Sequence, residues 1–237
     1  MNDRCAFHDC VINGKPLATW AGASLLDYSI GETPVNPVSF QGINRTSWHL
    51  LDNFFGMREI ALTVVFSAPD LRTAKLNRSA FNMELFGKAE LFIPDDGFSY
   101  TVACKSTGTE ELIGIGQRNA QVKSTYTFIG IRHDDLKTIH VDTNGIMYCL
   151  STMPFTDCRL TATARINRNN FQLGGAIFPE VNPGDVLVFD GIEGKITING
   201  ENAAAAVSWV KFPQLVPGKN VIYCSDPAVV EYFPTYI

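Results

Sequence analysis

The sequence predicts a mainly β protein of two domains, and three observations carry the prediction. Turn dipeptides recur along the whole chain, short apolar or alternating runs lie between them, and one stretch alone has helical spacing. Asn-Gly occurs at Asn13-Gly14, Asn144-Gly145 and Asn199-Gly200, each flanked by apolar or β-branched residues. That dipeptide supplies the two positive-φ positions of a type I′ hairpin turn. Asp96-Gly97 and Asp190-Gly191 add similar points. Pro183-Gly184 and Pro217-Gly218 fit type II turns, where Pro presets φ and Gly takes the positive φ.

The runs between the turns read as strands. Ile60–Phe66, Ala89–Ile93 and Phe98–Cys104 are short and apolar or aromatic. In Gln121–Ile131 the residues Val122, Tyr126, Phe128 and Ile131 are near-periodic. Asp185–Phe189 is apolar on both faces, as inside a sandwich or at an interface. Lys195–Asn199 alternates, with Ile196 and Ile198 on one side, so it has one wet face.

The helical stretch is Asp70–Phe86. Asp70 serves as N-cap and Gly87 suits the C-terminal stop. Leu76, Ala80 and Met83 fall on one stripe, Phe81 and Leu85 on the opposite side, which predicts cover on more than one face. The polar patch Arg132–Lys137 separates two strand-rich halves. The expected domains are therefore 1–134 and 135–237, the second with the size of a small β-sandwich.

Composition bounds the function. Charged residues make up 18% of the chain and apolar residues 46%. Such a chain can bury a good core and hold apolar surface for partners, and it is not disordered. A net charge of −5 argues against a dedicated nucleic-acid binder. It leaves room for a surface that DNA slides past. The polar first ten residues give no secretory signal, and no apolar run approaches the roughly 18 residues of a membrane span. Cytoplasmic synthesis of a soluble protein is expected. The six cysteines, at 5, 10, 104, 149, 158 and 224, form no Cys-x-x-Cys pair and read as reduced, mostly buried small apolar residues. A Cys149–Cys158 or Cys5–Cys10 bridge is the alternative.

The search for chemistry finds no constellation above ordinary structural explanations, so no catalytic, cofactor-binding or metal-binding residue is assigned. Gly114-Ile115-Gly116 is a lone Gly-x-Gly, better read as a bulge or tight turn. Cys5-x-x-His8-x-Cys10 is the nearest approach to a metal cluster, at a terminus where order is least expected. The acidic pairs Asp95-Asp96, Glu110-Glu111 and Asp134-Asp135 fit loops and turns, not a groove flanked by two carboxylates.

The most specific segment is C-terminal. A Pro-Gly turn and an apolar strand lead to the hairpin at Asn199-Gly200. Then come Phe212-Pro213-x-Leu215-x-Pro217-Gly218-x-Asn220 and two short strands. Phe212 and Leu215 can anchor a loop into the core, Pro217-Gly218 makes the turn, and Asn220 can bond back to loop backbone. This order resembles the C-terminal domain of phage distal tail proteins, the siphovirus-type tail component family. In the other half, Phe55–Ile60 leading into a strand, then a helix, then Pro94–Tyr100 is similar to that family's ring-forming domain.

The resemblance implies a virion structural protein and no enzyme. It implies an N-terminal β-sandwich or split-barrel-like domain with one flanking helix, and a galectin-like β-sandwich behind it. Such proteins form a homohexameric ring at the distal tail tip, assembled in the host cytoplasm. The ring joins the tail tube protein to the tail-associated hub protein and often carries receptor-binding or fibre proteins. Its bore passes the genome without specific binding, and no membrane and no cofactor are involved. The roughly 100 residues after Thr138 leave no room for the sugar-binding insertions of some relatives. The alternative is a carbohydrate-binding module acting through the galectin-like half, for which Trp209 is the candidate contact. Trp20, Trp48 and Trp209 otherwise read as core residues or as residues buried at a ring or partner interface.

Overall fold

A computed structural model of the chain describes residues 9–41, 48–116 and 119–237. It is mainly β, as the turn spacing predicts, and it divides into one unit of residues 1–133 and another of residues 134–236.

The first unit contains β1 (Val11–Ile12), β2 (Lys15–Pro16), a 3-10 turn (Leu17–Thr19), β3 (Ala23–Ile30), β4 (Val35–Gln41), β5 (Trp48–Phe55) and β6 (Arg58–Ala68). Then follow α1 (Leu71–Glu84), β7 (Lys88–Ile93), β8 (Phe98–Ser106), β9 (Glu111–Gly116) and β10 (Asn119–His133). The main sheet runs β2-β1-β7-β8-β10-β6-β3, all antiparallel, and β9 pairs with β10 beside β8. β10 is the spine. Its even-numbered residues Ala120, Val122, Ser124, Tyr126, Phe128 and Gly130 are all buried. Ile131 lies on the other face, so the expected set is corrected there. The lone Gly-x-Gly falls in β9, next to a bulge at Ile113 where the β9–β10 register shifts, in line with the bulge reading.

α1 is capped as expected: Asp70 Oδ1 accepts from the Thr73 N–H at 3.0 Å. The helix packs on β6 and β10 and buries Ala74, Phe81 and Leu85. The Leu76–Ala80–Met83 stripe faces outward, with Met83 76% exposed. The expectation of cover on several faces is therefore corrected to one face.

β4 and β5 continue the β3–β6 pair outward. Ile30 pairs Ile60, and Val35 pairs Phe55 without any slip in register between them. The junction is stitched by Gly31 N to Glu59 O and Gly56 N to Pro34 O, both 2.8 Å. β10 stops following β6 at Arg58. Beyond that point, among the described residues, β4 and β5 pair only with each other. They form a two-stranded arm.

The second unit contains β11 (Lys137–Val141), β12 (Gly145–Cys149), β13 (Thr156–Thr163), β14 (Arg168–Leu173), β15 (Ala176–Val181) and β16 (Val186–Asp190). It continues with β17 (Lys195–Ile198), β18 (Glu201–Asn202), β19 (Gln214–Leu215), β20 (Gly218–Ile222), β21 (Ala228–Tyr232) and β22 (Thr235–Tyr236). One sheet runs β11-β21-β13-β16-β17-β18, with β19 also on β13. The hairpin β14–β15 and the pair β12–β20 supply the opposing layer. Alternate residues of both layers meet in one core: Leu160, Leu187, Phe189 and Val230 from the sheet, Met147, Phe171, Phe178 and Ile222 from the other side. This is the inward alternation of a two-layer sandwich. β16 is apolar on both faces: Leu187 and Phe189 enter the core, and Val186, 38% exposed, and the half-buried Val188 lie on the outer face.

The turn readings hold with two corrections. Asn13-Gly14 and Asn199-Gly200 have φ of 51° and 74°, and of 54° and 84°. At Asn144-Gly145 only Asn144 is left-handed, and Gly145 N–H bonds Asp142 O at 2.8 Å, closing the turn one residue earlier. At Asp190-Gly191 it is Gly194, not Gly191, that takes a positive φ.

Candidate functional site

The segment singled out in the sequence is a loop locked onto β13. Leu215 pairs Thr156 and Gln214 pairs Asp157. Cys158 N donates to Pro213 O at 3.2 Å. Pro213 and Leu215 are buried, and Phe212 is half-buried. Burying one such apolar side chain stabilises by about 2 kcal/mol. Gly191 makes the approach possible, since a Cβ there would lie 2.7 Å from Pro213 O. Gly218 has φ 81°, as a type II turn after Pro217 requires. Asn220 closes the turn through bonds to Val216 and Gly218.

Asn199 and Gly200 lie in the hairpin between β17 and β18. The Asn199 side chain accepts from Val186 N at 2.9 Å and donates to Asp185 at 2.9 Å. The Asn199 and Asn220 side chains thus brace the hairpin and the loop.

Trp209 is not a core residue. It is 37% exposed and lies on Phe212 at 4.6 Å between ring centroids, with Phe189 behind both. Trp20 is buried against Phe81, and the Trp48 side chain lies outside the described residues. Beside the aromatic loop, Lys211, Phe212, Pro213, Gln214 and Tyr223 edge a cleft of about 260 Å³ with Cys158 and Leu160 at its floor.

The acidic pairs separate. Glu110 bonds Lys75 at 2.5 Å and Glu111 bonds Lys123 at 2.6 Å. Asp96 N and Gly97 N both bond Ile93 O, so Asp95-Asp96-Gly97 is turn chemistry. Asp190 is buried and bonds Arg159 Nε at 2.7 Å, with Ile192 N and Glu193 N on its other oxygen. The guanidinium pKa is raised, chiefly by its hydrogen bond to Asp190. No cluster of three potential metal ligands occurs among the described residues. Cys5 and His8 lie outside them. Cys10, Cys104, Cys149, Cys158 and Cys224 are free thiols, so no Cys149–Cys158 bridge forms.

Two apolar surfaces lie open that the sequence did not mark as exposed. On the arm, Val35, Val38, Phe40, Leu50, Leu51 and Phe54 are all exposed, Phe40 at 59% and Phe54 at 55%. On α1 the outward stripe ends near Phe86, which is 92% exposed. One signal marks the arm in the sequence: residues 33–57 carry only two charged side chains, Arg45 and Asp52, while the pattern reads as strand. Large apolar side chains exposed in such number on one hairpin are unusual on a soluble surface.

Locked turns, a sandwich core and one exposed apolar arm define a β-built protein that presents surface. Residues 150–236 match the family model described as siphovirus-type tail component, C-terminal domain. No curated protein matches the chain in sequence. The whole chain shares the fold of the Dit protein of phage SPP1, described as a paradigm of the hub adsorption apparatus in phages infecting Gram-positive bacteria. The TM-score is 0.69 at 10% identity, over 97% of this chain and 99% of that one. Chains of the phage p2 baseplate in its activated conformation are also similar. With strontium the TM-score is 0.54 at 8% identity, covering 95% of this chain and 97% of that one. With calcium it is 0.53 at 8% identity, covering 96% and 98%.

Proposed function

We propose that this chain is a structural, non-catalytic component of a phage virion, the distal tail protein whose hexameric ring joins the tail tube to the tail-tip hub. The observation that carries the reading is the family match of residues 150–236 within a fold that follows the SPP1 Dit protein over almost its entire length. The arm supports it. A two-stranded hairpin is at best marginally stable alone, and this one exposes large apolar side chains on both faces. It gains stability by docking on another chain.

In this reading residues 1–134 close the ring and residues 135–237 project from it as a galectin-like sandwich, where receptor-binding or fibre proteins attach. Assembly takes place in the host cytoplasm and the finished subunit sits at the distal tail tip. The genome passes through the bore without specific contacts, consistent with the net charge of −5. Trp209 is a weak sugar platform, because Phe212 already covers part of its ring. The connector role is therefore favoured over carbohydrate recognition.

Light scattering and negative-stain imaging of the purified chain test the reading. A closed sixfold ring is expected. A monomer at high concentration, together with virions lacking such a ring, would sink it.

A further inference from the structure

In the second unit, the edge of β20 that faces away from β12 lies open. Even-numbered residues here turn their backbone groups toward β12: Cys224 N, just past the strand, donates to Asn144 Oδ1 at 3.3 Å. Odd-numbered residues turn the other way, since Tyr223 O accepts from Gly174 N at 2.7 Å. β14 runs beside this edge only as far as Gly174, where its hairpin turns back into β15. Beyond Gly174, among the described residues, no strand pairs with this side of β20. The Val221 N–H and C=O and the Tyr223 N–H therefore point into a gap.

That gap is the cleft of about 260 Å³, which Val221, Ile222 and Tyr223 line together with Lys211 and Phe212. It is smaller than the roughly 300–1,000 Å³ of a small-molecule site and suits one large apolar side chain. Gly174 and Gly175 add no side chain to its wall, so a backbone can come close. Charge narrows the occupant further. Lys211 lines the cleft and Lys219 lies at the start of the open edge, and neither has an ion-pair partner among the described residues. No carboxylate lines the cleft, and Asp157 next to it is held by the Gln214 amide at 3.1 Å. Ile146, Tyr148, Val221 and Tyr223 are exposed on the outer face of the same strand pair.

We propose that β20 takes an added strand, an extended acidic segment of a partner protein. The segment's backbone bonds Val221 and Tyr223. One apolar side chain enters the cleft over Ile222 and Leu160, and flanking carboxylates meet Lys211 and Lys219. Main-chain bonds supply affinity in such an addition, while the cleft and the lysines supply specificity. The site lies within the second unit and does not depend on the state of the ring.

Full-length protein tests this by selection from a random peptide library, followed by fluorescence anisotropy and amide hydrogen exchange with the selected peptides. Those peptides are expected to carry an apolar residue flanked by Asp or Glu, and to slow exchange at the Val221 and Tyr223 amides. Gly175→Phe fills the cleft from a position where a Cβ meets nothing within 4 Å. Val221→Pro removes an edge N–H that the β12 ladder does not use. Each should weaken binding about tenfold, the worth of roughly one hydrogen bond or more, while keeping the wild-type far-UV dichroism. The joint change Lys211→Glu and Lys219→Glu should weaken the acidic peptides and turn a fresh selection toward basic ones. A library that yields no binder, or binders indifferent to Gly175→Phe and to the lysine reversal, would overturn the proposal. So would binding that leaves the Val221 amide exchanging freely, because a ligand seated only on side chains adds no strand. Slower Val221 exchange on raising protein concentration without peptide would put a second copy on the edge and overturn it as well.

Discussion

Asn220 mimics a strand partner for Val216 with the two ends of its amide. Its Oδ1 accepts from Val216 N at 2.9 Å, and its Nδ2 donates to Val216 O at 2.7 Å and to Gly218 O at 3.0 Å. The side chain thus holds both ends of the Pro217-Gly218 turn. Asn220→Ala removes three hydrogen bonds at a half-buried site. The expected cost is about 2 kcal/mol, near one bond's net worth plus unmet loop groups. Asn220→Asp keeps the acceptor and loses both donors, so it should fall between wild type and alanine. Thermal unfolding of the three proteins checks the order. An alanine variant as stable as wild type would show that the turn holds without its clasp.

A pH dependence follows from the neighbouring hairpin. Asp185 Oδ2 accepts from Asn182 N at 2.7 Å and Oδ1 accepts from the Asn199 amide at 2.9 Å. The backbone bond from Asn182, then the Asn199 bond, hold its carboxyl below the usual range. The unfolded chain therefore takes up the proton first as pH falls. The stabilisation is complete above the ordinary aspartate value of about 3.9 and is lost as pH drops through and below it. Asp185→Asn should be less stable than wild type near neutrality, and the gap should shrink as the buffer is taken from about pH 5 to about pH 3. Melting temperatures across that range measure it. A gap independent of pH would mean that the fold does not favour the charged form.

The hairpins were legible in the sequence because Asn-Gly is a local turn signal: Asn13 and Asn199 take the left-handed φ that the dipeptide favours. The face of β10 was only partly legible. Ser124 and Gly130 are buried there, and hydropathy does not mark them. Ser124 is accommodated because its hydroxyl accepts from Arg78 Nε at 2.6 Å, a tertiary contact that no local pattern reveals. The helix shows the same limit. Leu76 and Met83 make as good an apolar stripe as Ala74, Phe81 and Leu85, and the pattern cannot say which one turns inward. Phe81 decides it, because the sheet offers an aromatic slot. The loop residues Pro213, Leu215 and Asn220 were legible as a set, since turn chemistry fixed their spacing. The exposed arm was not, since a strand pattern does not tell whether a second layer covers it.

Cysteine reactivity provides a direct probe of the cores. Burial, with Asp9 adding, pushes the Cys10 thiol up to about 12. Burial does the same for Cys158, with Asp157 and other neighbours adding. Cys104 is also raised by burial, but it is only half-buried. The thiolate is the reactive form and must be reached by reagent. In native protein treated with iodoacetamide, Cys104 should therefore be alkylated well before Cys10 or Cys158, as read by peptide mass spectrometry. Faster labelling at Cys158 would mean that the sandwich opens more readily than its packing implies.

Phe81 clasps α1 to its sheet. Its ring meets Tyr126 at 5.0 Å, Trp20 at 5.1 Å and Phe66 at 5.6 Å between centroids, the first two edge-on. The ring is fully buried, and Tyr126 extends the clasp by donating from its hydroxyl to Asn82 Oδ1 at 2.8 Å. Phe81→Ala leaves a cavity that three rigid rings cannot fill, so the expected cost is about 3–5 kcal/mol. Phe81→Leu keeps most of the volume and should cost about 1 kcal/mol. The core around Phe81 shares no residue with the core of Phe171, Leu187 and Val230. The damage should therefore stay in the first unit. Hydrogen exchange of Phe81→Ala is expected to show lost protection in α1, β6 and β10, with β13, β16 and β21 unchanged. Equal loss in both units would show that the two cores unfold as one.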